Sequence, residues 1–182
     1  MLRPTALALG VIVTLVTPAF AQKATPEQMG NLGDKSDYGT MHFNSNLGSF
    51  RMIDGEGRVE IDFTGTILVN KLQGSVQVSG NLKKEFDGMK RTVYHGTGHM
   101  VVSGQFRAIQ WFGSDMTGVW YGKGIIRLLG EFDRNLSTGE YWYDDPVDKG
   151  EWPSVNTFDY YVPEHMSPYA EGSVKRRDSG GN

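Results

Sequence analysis

Hydrophobic and polar residues alternate along the middle of the chain. From Arg58 to Asn70, Val59, Ile61, Phe63, Gly65, Ile67 and Val69 form one row, while Arg58, Glu60, Asp62, Thr64, Thr66 and Asn70 form the other, with Leu68 the single break. A period of two predicts a strand with one buried face, because successive side chains leave a pleated backbone on opposite sides. The next stretch repeats the pattern, with Leu72, Gly74, Val76, Val78, Gly80 and Leu82 inward and Gln73, Ser75, Gln77, Ser79, Asn81 and Lys83 outward. A two-residue turn at Asn70-Lys71 would join the two as a hairpin. Pairing Val69 with Leu72 then sets Ile67 against Gly74, Gly65 against Val76 and Ile61 against Gly80, so that each inward glycine meets a large residue.

Two longer alternating segments, about Thr92 to Phe112 and Gly118 to Phe132, flank the loop-like residues Gly113 to Thr117. Pairing Phe112 with Gly118 matches large to small again, with Ala108 against Gly122, Phe106 against Gly124 and Gly104 against Ile126. A final hairpin is expected where residues 133–139 separate Leu128–Phe132 from Glu140–Tyr143. Inward glycines permit tight bending, and a strand of about twelve residues spans roughly 40 Å, long for a flat sandwich. The expected fold class is therefore all-β, a Gly-rich antiparallel coiled sheet or β-barrel of long strands.

A short β-solenoid is the alternative, with corners at Thr64-Gly65, Ser79-Gly80, Ser103-Gly104, Thr117-Gly118 and Thr138-Gly139. The spacings of 15, 24, 14 and 21 residues are too uneven for constant rungs. An outer-membrane barrel also has long alternating strands. An apolar row broken by glycines, few aromatic residues at the strand ends and about six strands count against it.

The ends of the chain read differently. Residues 1–21 have the form of a secretory signal peptide: Arg3, the apolar run Ala6 to Val16, Pro18, and a cleavage site at Ala19-Phe20-Ala21, cut after Ala21. Eleven apolar residues are too few for a membrane span, which needs about 20. The expected address is secreted or periplasmic, with no membrane span after cleavage. Residues 22–39 read as a flexible lead-in, 40–143 as the all-β domain, 144–170 as an irregular aromatic and acidic strap packed on it, and 171–182 as a disordered tail.

Composition narrows function mostly by exclusion. With no cysteine the chain has no disulfide framework, thiolate metal site or cysteine nucleophile, and export without disulfides points to a bacterial cell-envelope protein. A net charge of −3 offers no basic face for nucleic acid. There is no G-x-S-x-G elbow, P-loop, dinucleotide fingerprint or H-E-x-x-H motif, so no residue is assigned to catalysis, cofactor or metal. His95 and His99 stand four residues apart on one strand face, roughly 13 Å, too far to share an ion. Asp144, Asp145, Asp148 and Glu151 form an acidic loop that lacks the spacing of the helical-loop calcium motif.

The second half is rich in aromatic residues, and a candidate ligand surface is assigned to Trp111, Trp120, Trp142, Tyr143, Asp144 and Asp145. Three functions follow. The first is an exported module that binds a small apolar ligand in its mouth or another envelope component. The second is a structural envelope protein assembling through edge strands. The third is a barrel enzyme in which Asp144, Asp145 and Glu151 converge with a histidine such as His165. Oligomeric state is not legible in the sequence.

Overall fold

The computed structural model describes residues 37–130, 139–144 and 146–164. The signal segment 1–21, most of the lead-in, residues 133–138 of the expected turn 133–139, Asp145, His165 and the tail 171–182 lie outside the described residues. Among the described residues six strands form one antiparallel sheet: β1 (Gly39–Asn70), β2 (Gln73–Gly88), β3 (Arg91–Gly130), β4 (Gly139–Trp142), β5 (Lys149–Glu151) and β6 (Asp159–Val162). The sheet is coiled and does not close into a barrel.

The domain is one long hairpin wound on itself. Its tip is the turn Met89-Lys90, from which pairing runs back through Gly88↔Arg91, Gln73↔Gln105 and Asn70↔Ala108 to Gly48↔Gly130. β1 therefore continues into β2 as one outgoing arm, and β3 is the return arm. The arms meet a second time because the ribbon coils. Phe50 faces Leu128 across one edge and Trp111, 17 residues earlier, across the other.

This topology replaces the three hairpins expected from sequence, the last because β4 pairs with β1 and β5 and not with the end of β3. Asn70-Lys71 is not a hairpin turn, since β3 lies between β1 and β2, and Gly113 to Thr117 stay within the continuous strand β3. The true turn was hidden by its composition. Met89 and Lys90 both take positive φ, 48° and 62°, as a type I′ turn requires, yet neither is the Asn or Gly that normally marks one.

Nor do the glycines face the large residues expected. Gly118 lies against Phe43 and Ile61 and Gly98 against Phe63, while others stack on one another: Gly57 pairs with Gly104 and Gly122, and Gly65 with Gly96 and Gly113. These columns mark where every turn of the ribbon bends at the same place. At Gly57, with φ +124°, an added Cβ would strike the Tyr121 carbonyl oxygen and lie 2.6 Å from the Cα of Gly122. Close backbone approach, and not space for a bulky neighbour, is what these glycines provide.

The inward row changes parity along β1, from Met41 and Phe43 to Phe50 and Met52, then to Val59, Ile61, Phe63, Ile67 and Val69, all buried. A bulge accounts for the second change. Asp54 and Gly55 oppose the single residue Gly124, between the pairs Ile53↔Ile125 and Glu56↔Lys123, and Asp54 has φ 48°. On β3, Asp115 and Met116 likewise oppose Phe63, and Asp115 has φ 51°. The Gly-Ser-Asp run that reads as a loop is thus a bulge that turns Met116 inward, where it is buried.

The bore is filled with side chains. Phe50 stacks on Trp111 at 5.8 Å between centroids, Phe43 meets Phe50 edge-on at 5.4 Å, and Phe106 lies 5.9 Å from Trp120. Charged and hydroxyl rows face outward, as in Arg58–Glu60 and the Thr64–Thr97 hydrogen bond. That is the reverse of a barrel presenting its apolar face to lipid. The segment after Tyr143, expected to be irregular, contributes two short strands: β5 extends β4, and β6 pairs with Gly124–Arg127 of β3.

Candidate functional site at the open end of the coil

The two ends of the strand order are finished differently. At the β4–β6 end Trp152 and Val162 are buried. The Trp152 ring meets Trp111 edge-on at 6.5 Å, its Nε1 donates to the Glu140 carbonyl at 3.1 Å, and the Gly130 N–H donates to the Pro153 carbonyl at 2.9 Å. Aromatic packing and satisfied backbone groups cap this end.

At the other end β2 is the last turn, and among the described residues no strand covers it. Its inward row was read correctly, but with no further turn over it the row is incompletely buried. Leu72, Val76 and Leu82 pack on the core while partly exposed, and Val78 is 43% exposed. The concavity beneath is a cavity of about 540 Å³. Val69, Leu72, Val76 and Tyr94 line it with apolar surface, Gln73 and Thr92 add polar groups, and Lys71, Lys84 and Lys90 supply charge. Its size falls within the range of small-ligand pockets.

Two features fix the rim. The Lys71 N–H donates to the Lys90 carbonyl at 2.6 Å, fastening the hairpin tip to the start of the same turn. Lys84 places its ammonium 5.8 Å from the centroid of the Tyr94 ring and donates to Asp87 at 3.1 Å.

The candidate ligand surface assigned from sequence does not assemble as one patch. Trp111 and Trp120 are fully enclosed in the core, and Trp120 donates through Nε1 to the Glu56 carbonyl at 3.2 Å. Trp142 stacks on His42 at 5.2 Å with Lys149 4.9 Å from its centroid. Tyr143 and Asp144 do line a second cleft, of about 320 Å³, with Tyr141, Asp148, Lys149, Gly150 and Glu164. Asp145 lies outside the described residues, and Glu151 is exposed and does not line this cleft.

This second cleft sets tyrosine hydroxyls beside the carboxylates of Asp144, Asp148 and Glu164. Burial raises the pKa of Tyr143 above the ordinary tyrosine range, and that of Tyr160, beside it in the cluster, to about 12. Tyr141 is raised by the same cause. These hydroxyls keep their protons at neutral pH, so none serves as a base.

Among the described residues no three His, Asp or Glu side chains converge to hold a metal ion. His99 instead sits between carboxylates, with Nδ1 at 3.0 Å from Asp62 and Nε2 at 3.6 Å from Glu60, and His95 Nδ1 shares a 2.8 Å hydrogen bond with Thr66. Both belong to the polar exterior of the β1–β3 ladder.

Comparison of the chain with protein-family models, with curated proteins and with solved structures gives no match. Sequence reading found the apolar row of the mouth and missed its lysines. A signal was present in Lys84, which falls in phase with the inward row Leu72 to Leu82.

Proposed function

We propose that this is an exported binding protein that holds a small apolar ligand in the mouth formed by β2. The observation that carries the reading is the contrast between two stretches of one inward row. In β1 every large residue of the row from Val59 to Val69 is buried, and beyond it Leu72 and Val76 of the same kind border an open cavity. Uncovered apolar surface inside a concavity loses water when a ligand enters, worth about 25 cal/mol per Å² buried. The export signal at residues 1–21 suits a protein that meets such ligands outside the cytoplasm.

Titration with the neutral fluorophore N-phenyl-1-naphthylamine tests this. Saturable emission enhancement is expected, and Val76→Asn should weaken it several-fold while leaving the emission of the buried Trp111 and Trp120 unchanged. Absence of saturable binding by a folded protein would remove the reading.

A second reading, assembly of copies through an edge strand, is favoured by β2 itself, a 16-residue edge. That edge is guarded by Lys83, Lys84, Glu85 and Asp87 and by the irregularity between Lys84 and Phe86. Such charges and bulges are what proteins use to prevent edge pairing, which places assembly second. Sedimentation at high concentration separates the readings, since assembly requires mass to rise with concentration and a monomer throughout excludes it.

A further inference from the structure

The cavity is not electrically neutral, and its charge is opposite to that of the chain. The protein carries a net charge of −3, yet the lining contains three lysines and no carboxylate. Asp87, on the same strand, engages Lys84. Lys71 and Lys90 form no ion pair with any described residue. Their backbones are nonetheless in direct contact through the 2.6 Å hydrogen bond, and both residues have positive φ, 50° and 62°.

Two lysines held backbone to backbone at one rim, each in a conformation that disfavours non-glycine residues, are explained poorly by stability alone. An anion lying between them would offset their repulsion. We propose that the mouth selects a single-chain amphiphile with an anionic head, the chain lying on Val69, Leu72 and Val76 and the head meeting Lys71 and Lys90. This rests on the apolar-ligand reading of the same mouth and adds the charge of the ligand to it.

The layout supports a divided site. Lys71 precedes Leu72 directly, so the charged rim and the apolar wall are consecutive in the link between β1 and β2. A ligand with both parts satisfies both at once. Exposed ion pairs contribute modestly, so two of them should favour an anionic head over a neutral one by roughly 10-fold in affinity.

Competition against bound N-phenyl-1-naphthylamine tests the proposal with decanoate, decanol, decylamine, acetate and inorganic phosphate, all at low salt. Decanoate is expected to displace the probe at about one-tenth the concentration of decanol, and decylamine to be weakest. The double substitution Lys71→Gln with Lys90→Gln should erase the preference for decanoate while leaving decanol unchanged, and added salt should narrow it. Equal competition by decanoate, decanol and decylamine would overturn the choice of head while leaving an apolar site in place. Displacement by inorganic phosphate as effective as by decanoate would overturn the amphiphile in favour of a simple anion site. Failure of the probe itself to bind would remove the apolar reading and this inference together.

Discussion

Gly57→Ala is expected to be among the most damaging single-atom additions to this protein. Gly57 sits in the column Gly104–Gly57–Gly122, hydrogen-bonded to the return arm on both sides. An alanine Cβ would collide with the Tyr121 carbonyl oxygen and stand 2.6 Å from Gly122 Cα, at φ +124°. The backbone conformation alone costs about 1–3 kcal/mol for a residue with a Cβ. Restoring ordinary carbon contact, near 3.5 Å, requires the neighbouring strand to retreat by about 1 Å. That strand is the return arm of the same hairpin, so the displacement disturbs ladder hydrogen bonds of roughly 1 kcal/mol each. A loss of about 3–5 kcal/mol follows, a large share of the 5–15 kcal/mol of a typical domain. The control is Gly88→Ala, where the added Cβ meets only the rotatable Phe86 ring, at 3.2 Å, and a change within about 1 kcal/mol is expected. Urea unfolding followed by tryptophan emission measures both. A Gly57→Ala loss no greater than that of Gly88→Ala would refute the wound-hairpin geometry at this column.

Replacing Met89-Lys90 by Asn-Gly should stabilise the protein by roughly 1 kcal/mol, because both residues hold positive φ that Asn and Gly adopt readily; the urea midpoint should rise, and a fall would mean the turn is not of this kind. The tyrosine cluster should titrate late, since burial raises Tyr160 to about 12 and Tyr141 in the same direction. Unfolded tyrosine ionises near pH 10, so the folded state holds its proton more tightly. The stability this contributes is complete below pH 10 and is lost as pH rises through about 12. Absorbance titration at the phenolate band should show these groups ionising above the exposed tyrosines, and a single transition at the ordinary value would contradict their burial.

How much of this was legible follows from the range of each interaction. The alternation Val59 to Val69 was readable because it depends only on local pleating, and every large residue of that row is buried. The winding was not, because it depends on pairing between Phe50 and both Trp111 and Leu128, contacts far apart in sequence. Glycine spacing held the clue, but large-on-small matching within adjacent segments missed the columns Gly104–Gly57–Gly122 and Gly96–Gly65–Gly113, where the turns bend together. The turn escaped because Met89 and Lys90 lack turn chemistry, whereas Gly113 to Asp115 possess it and form a bulge. Trp111 and Trp120, on opposite faces by simple alternation, both point inward because the bulge at Asp115 changes the parity between them. The lysines of the mouth became a group only when Lys71 and Lys90 were joined by the coil.

The most direct measurement is a methyl-resolved NMR titration of the protein with decanol, a ligand without charge. Shifts are expected at Val69, Leu72 and Val76 around the cavity, with Leu128 and Val162 near the capped end unmoved. Perturbation confined to the neighbourhood of Tyr141 and Tyr143, or none at saturating ligand, would contradict a binding mouth at β2.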